Sequence, residues 1–324
     1  MTEAIRRLGA AHSTAQIVIA LRDADVTTTR RLVRAGAADV LPAPVSEPTL
    51  ALCLERLLTG DHDAAPGRKQ GEVVAILKAG GGVGATSLAT QMAAYIAARL
   101  SGEVCLADLD LQFGAAAVYM DLPEAVSITD CLSSGSGLGE TPFSTVLETH
   151  KSGARLLAAP RDMVALETLD PAQVDALLGG MRRDFPLTIV DLPPAWTAWT
   201  NQVLHQADRI VLVTHLSVPH IQLVKRQLRI LASQRLEDRP MVMVCNSLSS
   251  DQTASVSLKA AERAMGRPFD VVIPEDRRTM TAAINQGVEI SAIRRGTKLE
   301  KGVAELAHKI GAAQPALQAQ RGWR

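Results

Sequence analysis

The residues with the clearest chemical potential lie in one glycine-rich stretch, Lys78-Ala-Gly80-Gly81-Gly82-Val83-Gly84-Ala85-Thr86-Ser87. An apolar run, Val73-Val-Ala-Ile-Leu, precedes it, and Leu88, Met92, Ile96 and Leu100 follow at helical spacing. Strand, glycine-rich turn and helix in that order make a phosphate cradle. The glycines let backbone N–H groups turn inward, and the helix N-terminus adds its positive end to the same place. Matched to G-x-x-x-x-G-K-[ST], Gly84 is the second glycine, Thr86 supplies the magnesium-binding hydroxyl, and Ala79 stands at the first glycine. Ala85 then occupies the lysine position. The competing reading is a glycine-rich turn without a ligand.

Carboxylates follow at strand ends. Val104-Cys-Leu-Ala reads as a strand running into Asp108-Leu-Asp110-Leu-Gln112-Phe-Gly114, and Phe185-Pro-Leu-Thr-Ile-Val-Asp191 as another ending in Asp191-Leu-Pro-Pro. Ligands of α/β proteins bind at the carboxyl ends of parallel strands, so these positions suit a site. Each also has a structural alternative: Asp108 and Asp110 as turn caps, and Asp191 as the cap of a following helix. Arg209-Ile-Val-Leu-Val-Thr214 and Pro240-Met-Val-Met-Val-Cys-Asn246 are further buried strands, and Val271-Val-Ile-Pro274-Glu-Asp276 leads to Asn285-Gln-Gly287.

These five segments in this order resemble the MinD/ParA proteins of the P-loop class. The resemblance implies that residues 80 to 87 and Asn246 contact a nucleotide, ATP or ADP, with Asn246 on adenine and the Pro274 and Asp276 segment closing the base pocket. It further implies magnesium held directly or through water by Thr86, Asp108 and Asp191, and a water oriented by Asp110 if hydrolysis occurs. The family's signature lysine falls on Gly80, so both P-loop lysines are absent here. Such lysines neutralise charge that grows on the transferring phosphoryl group, so their loss impairs hydrolysis more than binding. Lys78, two residues upstream of Gly80, either swings over the phosphates or is a solvated side chain at the strand end.

The elements that must position these residues alternate between strand-like and helix-like segments from residue 71 to 311, the rhythm of a doubly wound, mostly parallel sheet in an α/β fold. With 47% hydrophobic and only 3% aromatic residues, the core has to rest on aliphatic side chains, which suits helices on a buried parallel sheet. Residues 1 to 60 read as a small α/β piece: the run from Gln16 to Leu21, a helical pattern from Thr28 to Ala35, the strand Ala38-Asp-Val-Leu, and a helix from Ser46 carrying Leu50, Leu52, Leu54, Leu57 and Leu58. Its wording resembles the second half of a response-regulator receiver domain, without the strand that carries a phosphoacceptor aspartate and with Ala43-Pro44 in place of the usual Lys-Pro. Half a parallel sheet leaves an open edge, which pairs with something unless the natural start lies upstream. Residues 61 to 70, rich in polar residues, Gly and Pro, form a linker, and 312 to 324 a loose tail.

The 34 basic and 34 acidic side chains cancel, which excludes a global field drawing the chain to nucleic acid or anionic lipid. Cys53, Cys105, Cys131 and Cys245 show no metal spacing and read as buried reduced thiols, in keeping with a cytoplasmic protein. No run reaches the roughly eighteen apolar residues of a membrane span. Lys298 to Ile310 has amphipathic spacing but carries acids and no aromatics, and reads as a packing helix rather than a membrane anchor. His205, His215 and His220 lack partners at ligand spacing and read as structural or surface residues, while Trp196 and Trp199 either pack a turn or meet a partner.

A receiver-like piece joined to a MinD/ParA domain with Ala85-Thr86 in place of Lys-Thr is similar to the CpaE/TadZ proteins of Flp (Tad, type IVb) pilus assembly. That resemblance implies a cytoplasmic homodimer, in some relatives polar, that localises the pilus secretion machine, meets its other components, and touches membrane only peripherally or through partners. The expectation is a scaffold that binds nucleotide and hydrolyses it weakly or not at all. The rival is an active MinD/ParA-like ATPase that positions cell division, plasmids or other cargo, and a further rival is a DNA- or membrane-binding module.

Overall fold

The computed structural model describes residues 17–22, 28, 32, 35–46, 49, 50, 53, 70–99, 103–133, 142–248 and 256–311. The chain divides into two compact units, Met1–Gln70 and Gly71–Arg324. In the first, β1 (Val18–Leu21) and β2 (Asp39–Pro42) pair in parallel, with Thr28 and Leu32 helical between them. Leu32, Ala35 and Ala37 are buried against Ile17, Ile19, Leu21 and Val40. The helix expected over Leu52, Leu54, Leu57 and Leu58, the linker from 61 to 69 and the tail from 312 lie outside the described residues.

The second unit runs β3 (Glu72–Lys78), α1 (Ala85–Arg99), β4 (Val104–Asp108), α2 (Ala116–Tyr119), α3 (Ile128–Ser133), α4 (Phe143–Val146), β5 (Glu148–Thr149) and β6 (Arg155–Leu157). It continues with α5 (Pro171–Asp184), β7 (Leu187–Asp191), α6 (Ala198–Gln206), β8 (Arg209–Thr214), α7 (Val218–Ser233) and β9 (Met241–Leu248). The chain then passes through α8 (Leu258–Met265), β10 (Val271–Pro274), α9 (Arg277–Asn285), α10 (Ile290–Ile293) and α11 (Lys298–Lys309). Among the described residues these strands form an eight-stranded sheet in the order β10-β9-β8-β3-β7-β4-β6-β5. All neighbours are parallel except the short edge pair β5 and β6.

The period of two along each strand sends alternate residues to two cores. Val73, Ala75 and Leu77 of β3 join one, with Leu177 and Met181 of α5, Trp199 and Val203 of α6 and Val224 of α7. Val74 and Ile76 join the other, with Leu88, Met92 and Ile96 of α1 and Leu299, Val303 and Leu306 of α11. Each of these buried Val, Leu, Ile and Met side chains contributes about 1.5–3 kcal/mol. The amphipathic face of α11 is therefore used for packing, as its acids and lack of aromatics suggested. Trp199 is buried and its indole N–H donates to the Leu166 carbonyl at 2.8 Å, so this tryptophan packs the turn.

The chain leaves β3 through α1, skips the place later filled by β7, and enters β4; β8 returns on the other side of β3. Strand order thus reverses next to β3, and such a reversal opens a crevice beyond the carboxyl ends of the strands. Ile76 and Asp108 both lie opposite Asp191 in the ladders, so Lys78 projects two residues beyond that level.

Candidate functional site

The turn after β3 is shaped by Gly82 and Gly84, both at φ of +72°, where a side chain is strained. At Gly84 a Cβ would also lie 2.6 Å from Nδ2 of Asn246, whose amide donates to the Val83 carbonyl at 2.8 Å. Asn246, near the end of β9, thus braces the turn directly. His215 braces it too: one ring nitrogen meets the Asn246 carbonyl at 2.9 Å and the other the Gly82 carbonyl at 3.1 Å. At the family's two lysine positions there is no ammonium. Ala85 begins α1 with its methyl group in a core, and a Cβ at Gly80 would meet Leu223 at 3.1 Å and His220 at 3.4 Å.

The carboxylates converge beside this turn. Asp108 accepts from the backbone N–H of Asp110 at 3.1 Å and of Ala116 at 3.0 Å, and Asp110 accepts from Phe113 N–H at 3.2 Å. The segment 108 to 116 is therefore tied down by its own aspartates acting as turn caps. Gly114 permits the tight path, because a Cβ there would fall 2.2 Å from that of Ala159. Asp191 caps no helix: α6 begins seven residues later with Thr197 as its cap. Instead, its Oδ2 accepts from the Thr86 hydroxyl at 2.5 Å.

Lys78 lies among them. Its ammonium is 3.0 Å from Asp110 Oδ2 and 3.2 Å from Asp191 Oδ2, with the residue only 7% exposed. The solvated-side-chain alternative is thereby corrected: charge attraction across the strand ends draws the side chain inward. Burial alone would lower its pKa, but Asp191, Asp110 and Asp108 outweigh burial and raise it above the ordinary lysine value. Asp108 is pushed up to about 7, first by burial and then by the charge of Asp191. Asp191 is raised by burial against the opposing pull of Lys78 and Thr86. Two of the three carboxylates thus share one ammonium, and the cluster keeps surplus negative charge.

That surplus bears on magnesium. Asp191 Oδ1 is buried with no hydrogen-bond partner, beside the Thr86 hydroxyl, and both fit a hard divalent cation. Among the described residues no group of His, Cys, Asp and Glu encloses a metal by itself, so the ion would need phosphate oxygens as further ligands.

The remaining candidates sit at the same edge of the sheet. Pro274 pairs with Leu248 at the end of β9, and Asp276 caps α9 by accepting from Thr279 N–H at 3.0 Å. Both line a cavity of about 290 Å³ with Arg294, Arg295 and Lys298. Asn246 is not in its lining. Gln91 of α1 joins the two regions, donating to the Val288 carbonyl at 3.0 Å and accepting from Ile290 N–H at 2.8 Å. The sequence offered no sign of the bracing by His215 and Gln91, since the His215–Gly82 and Gln91–Ile290 contacts each span well over a hundred residues.

A phosphate-shaped turn, a hydroxyl at a helix start and strand-end carboxylates at a topological switch define a P-loop nucleotide-binding fold. Comparison with known proteins agrees. A family model described as AAA domain matches residues 71–235. The septum site-determining protein MinD of Thermotoga maritima is 22% identical over 246 residues, covering 74% of this chain and 88% of that protein. Among solved structures, a ParA family ATPase from Chlorobium tepidum superposes with a TM-score of 0.66 at 18% identity, over 74% of this chain and 99% of that one. MinD from Pyrococcus horikoshii, complexed with Mg-ADP, gives 0.61 at 15% identity, over 74% and 96%. The chain belongs to the AAA domain family, and the relatives and solved structures it resembles are MinD and ParA proteins.

Proposed function

We propose that the chain is a nucleotide-binding scaffold that hydrolyses ATP slowly or not at all and that localises and helps assemble the Flp (Tad, type IVb) pilus machinery. The observation that carries the scaffold reading is the fate of the lysines. Ala85 and Gly80 leave both lysine positions without charge, and Lys78 is held by Asp110 and Asp191. Lysines at those two positions would neutralise the growing phosphoryl charge, and here neither position carries one. The pilus assignment rests on the Ala85-Thr86 pair and the receiver-like wording of residues 1 to 60, joined through 61 to 70 to the nucleotide domain.

In this reading, backbone amides from Gly80 to Ser87 hold the phosphates of ATP or ADP. The base lies towards Asn246, Pro274 and Asp276. Thr86 and Asp191 hold magnesium, with Asp108 acting through the loop it ties down; when bound, the ion neutralises phosphate charge. Nucleotide then favours a homodimer face, shifting a population without turnover. The protein works at the inner face of the membrane or the cell pole through its partners. Among the described residues no helix is long and apolar enough to cross a membrane. The rival, a cargo-positioning ATPase in which Lys78 replaces the lost lysines, requires that side chain to leave two carboxylates.

Genetic complementation tests both parts. Deleting the gene should abolish Flp pili, and the wild type and Asp110→Asn, which keeps an oxygen for the Phe113 N–H, should restore them equally. Piliation that survives deletion would remove the pilus assignment, and failure of a stably expressed Asp110→Asn to complement would favour a hydrolysing motor.

A further inference from the structure

The position of Lys78 has a chemical consequence for the metal. Three carboxylates, Asp108, Asp110 and Asp191, are buried at the strand ends beside the phosphate turn. Unneutralised, they would repel the phosphates of any nucleotide there, and only a bound divalent cation would offset that field. Lys78 supplies a fixed positive charge in its place. Its backbone cannot drift: the residue pairs with Val213 of β8, and its carbonyl accepts from the buried Gln227 side chain at 2.6 Å. Its ammonium shares Asp191 Oδ2 with the Thr86 hydroxyl, so it stands beside the group that would receive magnesium.

We propose that Lys78 is a resident counter-ion that takes over part of the metal's electrostatic role, so that this chain binds nucleotide with little dependence on magnesium. The ammonium lowers the negative field at the turn and repels a second cation across Asp191. The positive charge missing at Gly80 and Ala85 is in effect replaced at the carboxylates, where Asp110 and Asp191 hold it. This rests on the nucleotide-site reading above.

The test compares the full-length wild type with Lys78→Met and Lys78→Arg. Equilibrium titration with a fluorescent ATP analogue, in magnesium and in EDTA, should show the wild type and Lys78→Arg changing less than about threefold and Lys78→Met losing about tenfold or more without the metal. Thermal melting in MgCl2 alone should stabilise Lys78→Met and leave the wild type unmoved. A wild type that loses about tenfold in EDTA, or a Lys78→Met protein no more responsive to magnesium than the wild type, would overturn the proposal. Should Lys78→Met not fold, the wild-type EDTA titration decides alone. A wild type that binds no nucleotide under either condition would instead refute the nucleotide site, and the MgCl2 melting series would still judge Lys78.

Discussion

Gly84 shows how closely single atoms control the turn. With φ at +72° and the Asn246 amide 2.6 Å from where a Cβ would be, Gly84→Ala meets backbone strain and a buried hydrogen-bonded group together. It should lower unfolding free energy by about 1–3 kcal/mol in urea titration and weaken nucleotide binding. An alanine variant with unchanged stability and affinity would show that the turn is not held as described. His150 gives a pH signature away from the carboxylates. It is 3% exposed, with one ring nitrogen on the Gly287 carbonyl at 2.9 Å and the other accepting from Ser152 N–H at 3.1 Å, an arrangement that suits the neutral ring. Burial holds its pKa below the ordinary 6.5. The unfolded chain therefore binds the proton more readily, so the contribution is complete above 6.5 and is lost as pH falls through the depressed folded value. Melting temperature should drop between pH 7.5 and 5, and His150→Gln should show a shallower drop. Equal slopes would remove His150 from the acid response. At this scale the sequence made the glycines, Thr86 and the three aspartates legible, because strand-end and turn positions have local patterns. The pairing of Lys78 with Asp110 and Asp191 was not legible, for it joins three separate strand ends brought together by the sheet order.

Among the elements, those with a strong period were readable and the short ones were not. Long apolar runs marked β3, β7, β8 and β9. The start of α5 emerged with the structure: Asp170 and Gln173 exchange hydrogen bonds at 2.8 and 2.9 Å ahead of it, with Pro171 at its first position. Asp170→Ala should cost about 0.5–2 kcal/mol in denaturant and leave nucleotide affinity unchanged. A loss of affinity would mean that α5 communicates with the site, which nothing in its packing suggests. Between residues 115 and 157, by contrast, α2, α3 and α4 have four to six residues each, too few to display a helical period, and β5 is two residues long. The antiparallel edge formed by β5 and β6 had no turn signature strong enough to announce it. Gln91, buried on α1, reads in sequence as a polar break in an apolar face; its role in joining α1 to the segment after α9 depends on a fold that places them side by side.

At the level of the whole molecule, two apolar cores on either face of one sheet hold rigid the strand ends from which the candidate site is built. The fold class was legible because βαβ alternation leaves few topologies. What the fold does not decide is turnover, since the same sheet serves binding and hydrolysis alike. Turnover depends on where positive charge stands around the phosphates, and here the Lys78 ammonium is held by Asp110 and Asp191. The most direct test is to load the purified protein with ATP and magnesium and follow the bound nucleotide chromatographically. A scaffold should show saturable binding with the nucleotide recovered as ATP and turnover no faster than about 10⁻³ s⁻¹. Release of ADP at about 1 s⁻¹ or faster, abolished by Asp110→Ala, would contradict it.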